Sequence, residues 1–372
     1  MDKQSDKPSP EGSPDEDLNQ LRQQIDSVDQ QIQTLLQARA RLALQVGEVK
    51  ARTNAPVYRP EREASIFKRL RAIDVPADPL KGPALEAIYR QIISACREVE
   101  RRLRVAYLGP EGTFSEQAVR KHFGDGVDAL ACASIDEVFR ASQTGTADFG
   151  VVPVENSTEG AVNRTLDLFL ESSVTVSGEV LVPVEHCLMN RSGELADIKR
   201  VAAHPQALAQ CARWLDQHLP QVDRVPVSSN AAAARDAADQ PDLAAIAAST
   251  AADRYGLSVT RQAIQDNAGN RTRFAVIGQY ECAASGQDQT SLIVSVADEA
   301  GAVHRLIEPL SRHGVSMKRF ESRPARQSGW EYFFYIDLLG HDSEPSVGQA
   351  LAEIRERAAF YKSLGSYPRS AD

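Results

Sequence analysis

Between Leu18 and Val49 the apolar residues Leu18, Leu21, Ile25, Val28, Ile32, Leu35, Leu42, Val46 and Val49 recur at a heptad-like spacing of three and four. That spacing draws one continuous stripe along an α-helix, the seam by which helices pack side by side. A helix of about 35 residues is a rod roughly 50 Å long. Such a rod buries little by itself and needs partner helices. Two shorter helices are expected after it, near Pro60–Ile73 and Gly82–Leu103, with Pro60 suited to a first helical turn. The spacing therefore predicts an all-α bundle over residues 18–103, completed by a second subunit. Arg39 breaks the frame, standing between Leu35 and Leu42 where the seam calls for an apolar side chain. A guanidinium there needs an anion. Lys50 lies about three turns further along nearly the same face, whereas Arg22 points roughly 100° away, toward a different site.

The charge pattern agrees. Residues 18–103 carry 15 basic against 10 acidic side chains in a chain of net charge −9, which suits an anionic partner. No basic run with interleaved aromatics accompanies the charge, so nucleic acid is not expected. Residues 1–17 are polar, acidic and contain Pro8, Pro10 and Pro14; they read as a disordered tail without a signal-peptide core. No apolar run is long enough for a membrane span. The five cysteines are scattered without a C-x-x-C pair, and the seven histidines lack ligand spacing. A cytoplasmic protein is expected, with neither a disulfide framework nor a metal site.

After Leu103 strands and helices alternate. Strands are expected at Leu103–Gly109, at 148–156, and near Leu181–Leu188, Val201–Ala203 and Leu243–Ala247, with a helix beginning near Ser115. Alternation implies an α/β domain. From Asp288 to 366 the order strand, helix, two strands, helix, strand reads as an α+β ferredoxin-like unit. Three polar segments follow α/β strands, where such folds bind ligands. They are Gly109–Ser115, Glu155-Asn-Ser157 with Gly160, and Asn270-Arg-Thr-Arg-Phe274. No nucleotide-binding glycine loop is present. His204, ahead of Pro205, reads as a structural residue.

Each region resembles a known family. LRQQIDSVDQQIQTLLQARARLALQVGEVK and PVYRPEREASIFKRL resemble the first two helices of the all-helical chorismate mutases. The resemblance implies an intertwined dimer. Arg39 would bind a substrate carboxylate, and Arg22 would reach into the partner's site. Lys50 would hydrogen-bond the ether oxygen, Glu63 would hold the ring hydroxyl, and Arg62 would belong to the same site. Arg59, Cys96 and Glu100 replace residues that the family often has as an acid, a serine and a glutamine. Glutamine donates a hydrogen bond at any pH, glutamate only when protonated. Mutase turnover is therefore expected to fall as pH rises through the titration of Glu100.

YLGPEGTFS, VVPVENSTEGAV, AHPQALAQC, AAIAASTAADRYGL and NRTRF, in that order over 104–280, resemble the prephenate dehydratases. The resemblance implies two α/β lobes, like a bilobal solute-binding protein, with the second lobe near 183–262. In the cleft Thr272 would polarise the departing hydroxyl and Arg273 would bind a carboxylate. Thr113, Ser115, Glu155, Asn156 and Ser157 would line it, and no cofactor is required. Residues 288–366 resemble the ACT regulatory domain: Gly301-Ala302-Val303 and Glu321-Ser322-Arg323-Pro324 match its two motifs, which in paired subunits enclose phenylalanine. Together the resemblances imply a homodimer or larger assembly that converts chorismate through prephenate to phenylpyruvate under phenylalanine inhibition. Three other readings are a helical region serving only as a dimerisation arm, a non-catalytic solute-sensing protein, and a dehydratase that prefers arogenate.

Overall fold

The computed structural model describes residues 14–53, 55–72, 79–324 and 332–370. The chain opens with three helices: α1 (Pro14–Thr53), α2 (Pro60–Ala72) and α3 (Gly82–Glu100). α1 starts on Asp15, Glu16 and Asp17 and ends on Lys50 and Arg52, charges that complement the helix dipole at both ends. This placement carries the helix back to Pro14, so four residues assigned above to a disordered tail are helical; residues 1–13 lie outside the described residues. No residue of α1 is buried, and its seam faces solvent, with Leu35 69% and Leu42 62% exposed. The helix nevertheless approaches α3 closely at Gly47, where a Cβ would lie 2.6 Å from Glu100 Cγ.

Lobe one follows: β1 (Leu103–Leu108), α4 (Phe114–Phe123), β2 (Val127–Cys132), α5 (Ile135–Gln143), β3 (Phe149–Asn156), β4 (Gly160–Ala161), α6 (Asn163–Glu171) and β5 (Thr175–Pro183). Lobe two comprises β6 (Cys187–Asn190), β7 (Arg200–Ala203), α7 (Pro205–Gln210), α8 (Ala212–His218), β8 (Asp223–Pro226), α9 (Asn230–Asp239), β9 (Leu243–Ala247), α10 (Ser249–Tyr255) and β10 (Ser258–Arg261). The chain then returns to lobe one as β11 (Arg271–Gly278). The lobe-one sheet runs β2-β1-β3-β11-β5 with β4 paired to β3, and the lobe-two sheet runs β10-β6-β9-β7-β8. The single strand expected at Leu181–Leu188 is two strands in two sheets. Pro183 has no N–H to continue a ladder, and 184–186 cross between lobes, Val184 N donating to Asn270 O at 2.8 Å.

The last unit is β12 (Asp288–Ser295), α11 (Ala302–Arg312), β13 (Met317–Pro324), β14 (Tyr332–Leu339), α12 (Pro345–Arg357) and β15 (Phe360–Pro368), with sheet order β13-β14-β12-β15. It is docked, not tethered: Ile293, Tyr335, Leu364 and Tyr367 share one apolar cluster with Val154, Leu166, Val176 and Ile277 of lobe one. The helical region is docked similarly, Tyr58 lying 3% exposed in a cluster with Phe123 and Phe149. Among the described residues no helix is long and apolar enough to cross a membrane.

Candidate functional site

Thr272 opposes Asn156, and Arg273 opposes Glu155, where β11 pairs with β3. Side chains alternate across a strand, so the two pairs face opposite ways. Asn156 Oδ1 accepts the backbone N–H groups of Thr158 and Glu159 at 2.9 and 3.1 Å, which fixes the amide's orientation. Its Nδ2 therefore donates to Thr272 Oγ1, at 2.9 Å. A hydroxyl that accepts here keeps its own proton for another acceptor. Ser157 secures the approach to β11: Arg271 N donates to its Oγ at 3.0 Å. Across from these residues, Gln210 of lobe two donates to Glu159 at 3.3 Å and accepts from His186 Nε2 at 2.8 Å. Burial holds the His186 pKa below its ordinary value, partly offset by Gln210. The lobes also meet where Tyr255 donates to Glu111 O at 3.1 Å and Arg254 pairs with Glu111.

Other expected cleft residues have structural duties. Thr113 caps α4, accepting from Glu116 N at 3.4 Å, and Ser115 is buried in the first turn. His204, read from the sequence as structural and not as a cleft residue, caps α7, its Nδ1 accepting from Gln206 N at 3.3 Å. Arg273 requires a correction. It is not directed into the cleft but is buried toward the C-terminal unit, 2.8 Å from Asp337, 3.4 Å from Glu179 and 3.6 Å from Glu155. Burial lowers its pKa, but Asp337 and neighbouring acidic groups outweigh this and raise it. Glu155 goes with it and also pairs with Arg319 at 3.4 Å. A register shift opposite Arg273 and Phe274 marks a bulge in β3 at Val154, which bends that strand beside the site. Gln210 is the residue that sequence reasoning missed. It ends a six-residue helix after a strand, and only its polar character within an apolar, alanine-rich stretch signals it.

In the helical region α1 and α3 bring Lys50 and Glu100 together at 2.9 Å, and Lys50 also donates to Val57 O at 2.8 Å. Cys96 is buried on α3, and half-buried Arg39 donates to Ile92 O at 3.3 Å. Arg62 is exposed, as is Arg59, which pairs with Glu61 at 2.8 Å. Arg22 lies 17 residues before Arg39, about 26 Å along the helix. One chain therefore does not bring Arg22 to that site. Glu63 has a partner within the chain. It is engaged by buried Arg97 at 2.5 Å, on the side facing lobe one, where Arg97 also lies over Tyr58 and Phe123. Burial raises the Glu63 pKa, opposed by Arg97, Arg90 and Arg39.

The two regulatory segments do not meet within one chain. Gly301, with φ +80°, precedes α11 beside a cavity of about 560 Å³ lined by Ala302, Arg305, Glu308 and Arg357. Val303 is partly buried next to it, whereas Glu321–Pro324 lie on the edge strand β13, outside that lining. All five cysteines are buried and free. Among the described residues, no group of three or more His, Cys, Asp and Glu is placed to hold a metal ion.

Comparison with known proteins gives one match per region. Residues 21–101 match chorismate mutase type II, 105–282 match prephenate dehydratase and 290–356 match the ACT domain. The chain is 46% identical over 95% of its length to a Neisseria gonorrhoeae protein named bifunctional chorismate mutase/prephenate dehydratase, covering 98% of it. A Pseudomonas aeruginosa protein of the same name is 45% identical, with 95% of this chain and 98% of that one aligned. Among solved structures, a prephenate dehydratase from Arthrobacter aurescens in complex with L-Phe superposes with a TM-score of 0.67 at 37% identity, over 72% of this chain and 90% of that one.

Proposed function

The chain belongs to the bifunctional chorismate mutase/prephenate dehydratase family, with an ACT domain at its C-terminal end, and from that premise we propose how its residues divide the work. It is an isomerase and a carbon–oxygen lyase of aromatic amino acid biosynthesis. The mutase reaction is a pericyclic rearrangement and needs no nucleophile. Its site has to hold the compact conformer of a dianion and stabilise the charge growing on the ether oxygen. Arg39 binds a carboxylate, and Lys50 donates to the ether oxygen; Glu100, paired with Lys50, can donate to that oxygen only in its protonated form. Arg22 comes from a second subunit, a reading supported by its distance along α1 and by the solvent-facing seam.

In the dehydratase reaction prephenate loses carbon dioxide and its ring hydroxyl as the ring becomes aromatic. A hydroxyl is a poor leaving group, so the enzyme has to neutralise the charge that develops on it. Thr272 donates a hydrogen bond to that oxygen. The supporting observation is the Asn156 amide, which occupies the acceptor side of Thr272 and leaves the proton for substrate. A threonine hydroxyl is a very weak acid, so its role is polarisation with water completing the transfer. Gln210, Glu159 and Ser157 complete the cleft. Phenylalanine is the ligand of the ACT domain, held between Gly301–Val303 of one subunit and Glu321–Pro324 of another. Thr272→Ala tests the assignment: the variant should lose dehydratase activity by at least a hundredfold while converting chorismate to prephenate at the parent rate. Normal phenylpyruvate output from it overturns the assignment.

A further inference from the structure

The residue after the proposed donor is held by a different domain. Arg273 Nη2 lies 2.8 Å from Asp337 Oδ2, on β14 of the ACT domain. Asp337 is only 5% exposed, and its other oxygen accepts from Ser291 Oγ at 2.6 Å. Ser291 lies 2.7 Å from the Tyr367 hydroxyl, which accepts from Gln289 Nε2 at 2.9 Å. Gln289 also reaches Glu179 at 3.5 Å, and Glu179 returns to Arg273 at 3.4 Å. The contacts form a closed ring, and every proton in its hydroxyl chain has one direction. Gln289 donates to Tyr367, Tyr367 to Ser291, and Ser291 to Asp337. Four members belong to the ACT domain and two to lobe one.

We propose that Asp337 is a positioning residue for the dehydratase: it clamps Arg273 and thereby sets where β11 presents Thr272. Three observations converge on this. Opposite the Arg273–Phe274 step β3 carries an extra residue, Val154, so the pairing that brings Asn156 to Thr272 departs from regularity right beside the clamped Arg273. The grip is a buried charge network, which tolerates one geometry and costs heavily when half-made. The strand bearing the second regulatory motif is tied to the same region. Arg319 pairs with Glu155 at 3.4 Å, and Arg323 pairs with Asp167 on α6 at 3.0 Å. A shift of β13 or β14 on ligand binding therefore pulls on β3, α6 and β11 together, and these elements carry Asn156 and Thr272.

The inference rests on Thr272 as the donor, and its test separates the two ideas. Asp337→Asn keeps the shape and the Ser291 bond but removes the charge that holds Arg273. In the full chain it should lower dehydratase kcat at least tenfold, raise the KM for prephenate less than twofold, and leave mutase turnover unchanged. Asp337→Glu should recover part of the kcat. A purely structural role predicts instead a lower melting temperature with kcat intact in the folded fraction. If Asp337→Asn does not fold, Ser291→Ala decides, with an expected threefold or larger loss of kcat at unchanged KM. Parent kcat in the folded variants, with Thr272→Ala inactive, overturns the clamp alone. Parent activity in Thr272→Ala overturns the donor assignment beneath it.

Discussion

Replacing Asn156 with aspartate tests the direction of the Thr272 hydroxyl without removing it. The new side chain has the same shape, and one oxygen keeps the backbone bonds from Thr158 and Glu159 at 2.9 and 3.1 Å. Its other oxygen only accepts. The Thr272 hydroxyl, 2.9 Å from that position, then has to donate to it. A hydrogen bond to a charged group is worth about 1.5–3 kcal/mol, which the hydroxyl gives up before it can serve substrate. At about 1.4 kcal/mol per factor of ten, dehydratase kcat should fall roughly 10- to 150-fold. Mutase turnover of the same preparation is the internal control and should not move. Acid should restore part of the loss, because a protonated aspartate donates again as asparagine does. The assay is steady-state phenylpyruvate formation from added prephenate between pH 4.5 and 8. An Asn156→Asp variant with the parent kcat across that range refutes the reasoning, since the hydroxyl proton would then not be what the substrate needs.

Gly47→Ala puts a methyl 2.6 Å from Glu100 Cγ, displacing that side chain from Lys50; mutase kcat/KM should drop several-fold with dehydratase activity intact, measured on each substrate separately. His122 bonds the Tyr58 hydroxyl at 2.8 Å, and burial, aided by Arg90 and Arg97, lowers its pKa to about 3. The unfolded chain binds that proton near pH 6.5, so the contribution of His122 is complete above that pH and is lost as pH falls toward 3. Between pH 7.5 and 5.5 the loss is about 1.4 kcal/mol at most; chemical denaturation at the two pH values should show it in the parent and not in His122→Gln. Gly301→Val fills a left-handed position, φ +80°, beside the ACT cavity and should leave an active enzyme that phenylalanine no longer inhibits, read from phenylpyruvate formation with and without the amino acid.

Periodicity and local motifs made much of this architecture legible. The three–four seam over Leu18–Val49 requires a long helix whatever surrounds it, and runs such as FAVIG after Arg273 require a buried strand. The seam places Lys50 on nearly the face of Arg39, whereas Glu100, on α3, is reached only through the family resemblance; the two meet at 2.9 Å. The errors lie where one domain meets another. Alternation says that Thr272 and Arg273 point apart, but which of them faces the cleft depends on a sheet that arrives with Asp337. The contact of Arg97 with Glu63, made where α3 docks on Phe123 and Tyr58, is likewise one that no local pattern announces. The split of the expected Leu181–Leu188 strand has a local cause, Pro183, but hydrophobicity alone runs straight through it.

The most direct test follows chorismate, prephenate and phenylpyruvate together after purified full-length protein is mixed with chorismate alone. Prephenate should rise first, and phenylpyruvate should then accumulate to match the chorismate consumed. Untouched chorismate, with added prephenate still converted, would contradict it and reduce the helical domain to an assembly arm.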